Sequence, residues 1–435
     1  MERVQTVFGS IARKYPTNRD ESIIKLSQSW LETKRIDDEA EGLWRVHDKL
    51  YDLTDFIERH PGGAEWISLT KGVDITEEFE THHLYGKAEP LLKKFYIRDA
   101  KSPRNYKFTY ADNGFYRTLK RRVADMLPDL DNKPKKISNM ISDLMLSLVF
   151  ATSVLAAKDN NFYLALLAGT FLNFQLVIAH NYFHRKDNWR MFCFNLTLLN
   201  YTEWRISHAL SHHLYTNSYY DMEITMFEPH LQWLPRPKTL TQKISSWILS
   251  PVVWSLIGIM ATVYRIIGYF KNIVKFRWDH LLALTLPIAM FYFGQRDIWI
   301  VLKLWFVITS MCSFLVGVFG LNAGHHHPDV THEGDELPKG MDFGVFQMNA
   351  VIDRNDIKNS HFIALVTFGH HTLHHLFPTL DHGLLPQLHE VFISTCKDFE
   401  IELREYPWWP LIVGQFQQLA RTKPKSLKES KQKDL

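Results

Sequence analysis

Three groups of histidines carry spacings suited to metal ligation. His180 and His184 are four residues apart, as are His208 and His212, with His213 adjoining; His371, His374 and His375 repeat the arrangement at spacings of three and four. On a helix, residues three or four apart share a face, so each group forms a clamp of imidazoles. Neutral imidazole suits iron, zinc, copper and nickel. The H-E-x-x-H general base of zinc hydrolases is missing, which counts against hydrolysis. The groups also lack the Glu and Asp ligands of soluble di-iron carboxylate bundles. The chemistry these residues predict is that of a histidine-held metal centre.

A second constellation lies near the N-terminus. Pro61, Gly62 and Gly63 stop a helix and leave His60 projecting from a tight turn, and His82 and His83 follow. Two imidazoles so placed can take opposite faces of a flat cofactor. Haem iron held by histidine on both axial sites carries electrons and has no open position for chemistry. The residues themselves leave both His82 and His83 open as the partner of His60, and His47 reads as an ordinary turn residue.

The elements that must position these groups fall into two kinds. Residues 1–19 are a polar lead-in, and a short helix is expected around Ile23–Lys34. The pattern from Leu43 alternates as strands do around the turn at His47-Asp48-Lys49. A helical stretch over Ala64–Lys71 and a helix start at Asp74–Phe79 follow. Residues 99–136 are a polar connector with basic patches at Lys120-Arg-Arg and Lys133-Pro-Lys-Lys, the charge expected on the cytosolic side of a crossing. Apolar runs over about 137–157 and 161–179 are each near the length that crosses a bilayer. The second returns the chain to the first side where His180 arrives. Of three later runs, 247–264 is followed by Arg265, Lys271, Lys275 and Arg277 and is read as interfacial or re-entrant. Runs 281–294 and 298–320 are read as a hairpin turning at Gln295-Arg296-Asp297. Four crossings keep all three histidine groups on one face.

Bulk properties fit this plan. A net charge of +3 over 435 residues offers no argument for nucleic acid. Three widely spaced cysteines suit a reducing, cytosol-facing environment rather than a disulfide framework. The start of the chain lacks the apolar core of a secretory signal peptide.

Residues 20–98 resemble the cytochrome b5 domain through Tyr51-Asp-Leu-Thr-Asp-Phe, His60-Pro-Gly-Gly and Asp74-Ile-Thr-Glu-Glu-Phe-Glu-Thr-His-His. That resemblance implies an α+β haem domain with His60 as one axial ligand and, from the pattern of desaturase-fused domains, His83 as the other. The three histidine groups, and above all His374-His375-Leu-Phe-Pro-Thr-Leu with His382, resemble the membrane fatty acid desaturase family in its front-end-desaturase-like branch. The whole arrangement is most similar to the insect cytochrome b5-related proteins. An all-α membrane domain over 137–405, capped by histidine boxes, and a charged tail over 406–435 are expected. The resemblance implies a di-iron centre held by His180, His184, His208, His212, His213, His371, His374 and His375, with His326 as a further ligand and Asn322 holding a metal-bound water; His325 and His327 are expected to stand behind the ligands or in solvent. Two departures bear on substrate and position of attack. His371 stands where front-end desaturases usually have Gln, and Asn181 where they usually have Asp.

The expected function is O2-dependent desaturation of a lipid acyl chain, such as acyl-CoA, phospholipid or sphingolipid. Electrons would pass from NAD(P)H through cytochrome b5 reductase to haem b and then to two non-haem irons; tethering the haem domain raises its effective concentration at the metal centre. Lipid C–H hydroxylation and a non-catalytic, membrane-anchored haem electron carrier are the alternatives. The tail, Lys431-Gln-Lys433-Asp-Leu435, resembles dilysine signals for retrieval to the endoplasmic reticulum. The expected location is that membrane, with haem domain and boxes on the cytosolic side.

Overall fold

The computed structural model describes residues 9–321, 324–337 and 340–426. The first lobe opens with helix α1 (Ser27–Asp37), later than the sequence suggests, and continues with strands β1 (Trp44–Val46) and β2 (Lys49–Tyr51). These pair antiparallel about a tight turn in which His47 takes a left-handed φ of 52°. Helices α2 (Ala64–Leu69), α3 (Thr76–His82) and α4 (Ala88–Leu92) follow, and β3 (Tyr96–Asp99) pairs with β2 to complete a three-stranded sheet. Trp44, Val46, Leu53, Ile67, Val73, Ile75 and Phe79 form a small core beneath it.

Helix α5 (Phe115–Met126) belongs to the connector. It leads into α6 (Lys133–Lys158) and α7 (Phe162–Phe183), a long antiparallel pair. Pro134 in the first turn of α6 is preorganised for a helix start, and the Asn161 side chain caps α7 by accepting from the amides of Tyr163 and Leu164. The second histidine group lies on α8 (Tyr201–Trp204), a π-helical stretch over Arg205–His212 and α9 (His213–Tyr215), followed by α10 (Met222–Thr225).

The run read as re-entrant is a bent pair, α11 (Leu240–Ser255) and α12 (Ile257–Phe270), at 75° to each other. A Cβ on Gly258 would meet the Thr197 carbonyl oxygen at 2.7 Å, so glycine lets the bend press on the 189–197 turn. The expected hairpin is only half regular. Its first arm is a succession of a 3-10 turn over Trp278–Leu284, α13 (Thr285–Ala289) and a π turn over Met290–Gly294. As a continuous helix it would rise about 25 Å, short of a hydrocarbon core of about 30 Å. The second arm is α14 (Ile298–Leu315), extended by a π turn so that the span reaches Gly320. Among the described residues, three helices are long and apolar enough to cross a membrane, or four if the bent pair is one span. Glycine permits the packing of α7 on α14, since a Cβ on Gly169 would lie 2.7 Å from the Ile308 carbonyl oxygen. Outward side chains such as Met140, Tyr163, Trp299 and Phe306 are exposed apolar groups suited to lipid.

The remaining elements cap one end of this bundle. They are α15 (Phe343–Ala350), β4 (Asp353–Arg354), α16 (His361–Val366), α17 (His371–Leu376), α18 (His389–Asp398), β5 (Glu405–Tyr406) and α19 (Trp408–Ala420), with β4 and β5 parallel. Buried polar contacts tie the haem-domain-like lobe to the connector through Arg104 and to α9 through the Tyr215 hydroxyl. Arg104 meets Asp74 and Glu77, each at 2.7 Å, and Lys34 meets Asp38 at 2.8 Å and Tyr215 Oη at 2.9 Å. Cys193, Cys312 and Cys396 are buried free thiols.

Candidate metal centres

The end of α7 carries His180 and His184 with their Nε2 atoms 3.0 Å apart, as a four-residue helical spacing dictates. The second group behaves differently, because the chain there is π-helical and the His213 amide donates to the His208 carbonyl five residues back. The wider turn brings His208 and His213 to one point, Nε2 to Nε2 at 3.0 Å, and directs His212 elsewhere. His208 Nε2 is 2.7 Å from that of His180, and His374 Nε2 is 3.3 Å from it. Five imidazoles therefore converge: His180, His184, His208, His213 and His374. Such spacings suit nitrogens sharing one metal at bond lengths of about 2.0–2.1 Å.

A second convergence lies beside the first and comprises His212, His325 and His375. His371 joins it, its Nε2 2.6 Å from that of His325. The Nε2 atoms of His212 and His375 are buried without a hydrogen-bond partner among the described residues, which fits donors aimed at an ion. The further histidine in the cluster is thus His325 and not His326. The His326 ring stacks on Trp233, ring centres 3.9 Å apart and planes 10° from parallel, and belongs to neither cluster. Asn322, expected to hold a water, lies outside the described residues.

Neighbouring groups select the tautomers. His208 Nδ1 donates to Glu223 at 2.5 Å, His212 Nδ1 to Asp221 at 2.9 Å and His375 Nδ1 to the Gln347 side-chain oxygen at 3.1 Å. Each bond keeps the proton on Nδ1 and presents Nε2 as the donor atom, and the carboxylates raise its basicity. Burial opposes a charge on His212, but Glu223 and Asp221 push its pKa up to about 9, so a metal ion bound there displaces a proton from Nε2. Burial and the neighbouring imidazoles hold His213, His374 and His375 well below the ordinary value, in the neutral form that binds metal. Sequence reasoning missed Glu223, Asp221 and Gln347; the two carboxylates about ten residues after the second histidine group were a weak signal, and nothing marks Gln347.

The two departures from the front-end pattern have structural partners. His371 sits in the second cluster, facing His325. Asn181 donates to Asp381 at 3.1 Å and accepts from the His382 amide at 3.2 Å, where an Asp would set one carboxylate against another. Arg185 completes this group with Asp381 at 2.6 Å. His382 stands next to the first cluster, its ring centre 4.5 Å from that of His374, with both ring nitrogens unpartnered among the described residues.

In the first lobe, His60 and His83 face each other across a cavity of about 550 Å³ with ring centres 6.2 Å apart. That separation admits one metal ion bonded to both rings at about 2 Å each. His60 Nδ1 donates to the Gly63 carbonyl at 2.9 Å and His83 Nδ1 to that of Phe79 at 3.1 Å, which leaves each Nε2 free to ligate. The walls between them, including Leu53, Phe56, Phe79 and Phe95, are apolar, as the faces of a porphyrin require. His82 also lines the cavity, its Nδ1 bonded to the Glu78 carbonyl and its ring 5.1 Å from Trp66. His184 of the first imidazole cluster also lines this cavity.

Comparison with known proteins places this geometry among relatives. Residues 161–407 match the family model described as fatty acid desaturase, and residues 29–101 the cytochrome b5-like heme/steroid binding domain. A cytochrome b5-related protein of Drosophila melanogaster is 45% identical over 95% of this chain and 96% of its own length. The delta(5) fatty acid desaturase A of Dictyostelium discoideum is 26% identical over 89% of this chain and 92% of its own. The acyl-lipid (8-3)-desaturase of Mortierella alpina is 23% identical over 82% and 88%. No solved structure matches.

Proposed function

From the premise that this chain belongs to the fatty acid desaturase family and carries a cytochrome b5-like domain, we propose that it is a membrane-bound oxidoreductase. It introduces a double bond into a lipid acyl chain, with O2 as oxidant and two histidine-held irons as the reacting centre. The observation that carries this reading is the position of His184, which belongs to the five-imidazole cluster and also lines the cavity between His60 and His83. An electron carrier and a metal centre share one side chain as a common wall.

The residues divide the work. His60 and His83 would hold haem b, which accepts electrons from NAD(P)H through a reductase and has no open position of its own. One iron would be held by His180, His184, His208, His213 and His374, and the other by His212, His325, His371 and His375. Bound there, the irons supply O2 activation and the oxidation of an unactivated C–H bond. Glu223, Asp221 and Gln347 orient the ligand rings. Crossings by α6, α7 and α14, with the shorter 278–294 arm running from Asp279 beside Asn195 to Gly294 beside Ala157 as the fourth, would keep every box on the cytosolic face of the endoplasmic reticulum membrane, with the bent pair re-entering. The acyl chain would lie among these helices.

The test incubates the purified chain, loaded with haem and iron, with NADH, cytochrome b5 reductase and either an acyl-CoA or a phospholipid. A product lighter by two hydrogens supports desaturation. A product heavier by one oxygen would replace it with hydroxylation. Haem reduction with no lipid product and no bound iron would leave only a membrane-anchored electron carrier.

A further inference from the structure

The cavity between His60 and His83 is not enclosed by the haem-domain lobe alone: His184, Arg185, Lys186, Leu210 and Thr379 of the desaturase half form one of its walls. We propose that haem is bound between the two halves, with Lys186 of the desaturase half and Lys87 of the haem-domain lobe neutralising its two carboxylates. This inference rests on the haem reading given above and adds the partner surface.

The wall is held in place by the fold. Gly63 has φ +119°, and a Cβ there would lie 2.6 Å from Asp187 Oδ2, so the His60 loop accepts the 184–187 segment only because it ends in glycine. The fully buried Arg205 then ties the two sides together. It donates to Asp187 at 2.5 Å, to Glu65 of α2 at 2.8 Å and to the Phe183 carbonyl at 3.0 Å. Arg277 adds a second bond to Glu65 at 2.9 Å. Lys186 is thereby carried to the cavity on a braced segment.

The charges at the cavity suit an anionic ligand edge. Arg185 is engaged by Asp381, whereas neither Lys87 nor Lys186 forms an ion pair among the described residues. The one carboxyl on the lining belongs to Glu78, and burial raises its pKa well above the ordinary value, which favours its neutral form. Two unpaired cations, one from each half, thus flank a largely apolar slot with a metal-binding imidazole on either face. Charge-assisted bonds from lysine to carboxylate are of the stronger kind. A positive charge near the haem also favours its reduced form, so the desaturase half would help to set the reduction potential of its own electron donor.

The experiment uses the full-length protein carrying haem and iron, and compares the parent with Lys186→Glu, Lys186→Arg and His60→Ala. Haem transfer to excess apomyoglobin and the midpoint potential by spectroelectrochemistry are the readouts. Lys186→Glu is expected to release haem about tenfold faster and to shift the potential to more negative values, while Lys186→Arg stays close to the parent. Lys186 is exposed, so the substitution leaves the core intact. An unchanged release rate and potential in Lys186→Glu, with His60→Ala devoid of haem, would overturn the shared site and leave the haem reading standing. A His60→Ala protein that keeps the parent's haem spectrum would overturn the haem reading and the shared site together.

Discussion

The imidazoles of His213 and His375 lie face to face, ring centres 4.0 Å apart and planes 11° from parallel, and they belong to different histidine clusters. The same division holds along the chain. Of the adjacent pair His212 and His213, and of His374 and His375, one ring enters each cluster. Neighbouring residues on a helix point about 100° apart, so a doubled histidine can feed two centres that a single spacing could not. The stacked pair is one contact along which the two clusters touch, and His208 on His212, ring centres 5.3 Å apart, is another.

Replacing His213 or His375 with Ala should each remove one iron and leave the other. Metal analysis of the two purified variants is expected to give about half the parent iron, with an unaltered haem spectrum. Full iron in either would remove that residue from the ligand set.

His325 and His326 can be separated in the same way. His325→Ala should lower iron content, because its Nε2 meets that of His371, while His326→Ala should keep its iron and lose only the stack on Trp233. The reverse result would restore His326 as the ligand.

The groups behind the ligands should matter almost as much as the ligands. Glu223→Gln and Asp221→Asn are expected to weaken iron binding by about 10–100-fold, because His208 and His212 exchange an anionic acceptor that raises the basicity of the ring for a neutral amide oxygen. Competition with a graded series of chelators measures the change.

His82 and His83 differ in their relation to His60. The His83 ring faces that of His60 across the cavity, and the His82 ring packs on Trp66. His83→Ala should abolish the six-coordinate haem spectrum, whereas His82→Ala should retain it. A lost spectrum in His82→Ala alone would exchange the two roles.

Acid should loosen the tie between the haem-domain lobe and the connector that follows it. Burial pushes the Asp74 carboxyl up, but Arg104 at 2.7 Å outweighs it and holds the pKa below the ordinary value. A carboxyl depressed on folding adds stability that is complete above the ordinary carboxylate pKa of about 4 and is lost as pH falls through the folded value. Asp74→Asn should therefore cost about 2 kcal/mol at neutral pH, with the gap to the parent narrowing below about pH 4. Denaturant midpoints across pH, followed by haem absorbance, check this; a constant gap would mean that Asp74 acts only through packing.

Residue type and short-range spacing already determined much of this protein. His60 before Pro-Gly-Gly, three histidine groups and apolar runs of crossing length state a haem lobe followed by a helical membrane part, because each signal is local and needs no packing to be read. The i, i+4 clamp of His180 and His184 is of this kind. The tertiary structure alone decided the rest. A π turn exchanged His212 for His213 in the first cluster, since an i, i+5 bond cannot be told from an i, i+4 bond by residue type. The loop after Gly324 turned His325 inward and laid His326 on Trp233, a choice between adjacent identical residues that only the surrounding walls can make. The ties of Glu223, Asp221 and Gln347 to ligand rings, and of Arg205 to both halves at once, join groups whose meeting depends on how the helices pack. Nearest-neighbour chemistry named the histidine rings; long-range packing sorted them into two clusters and set one of them against the cavity between His60 and His83.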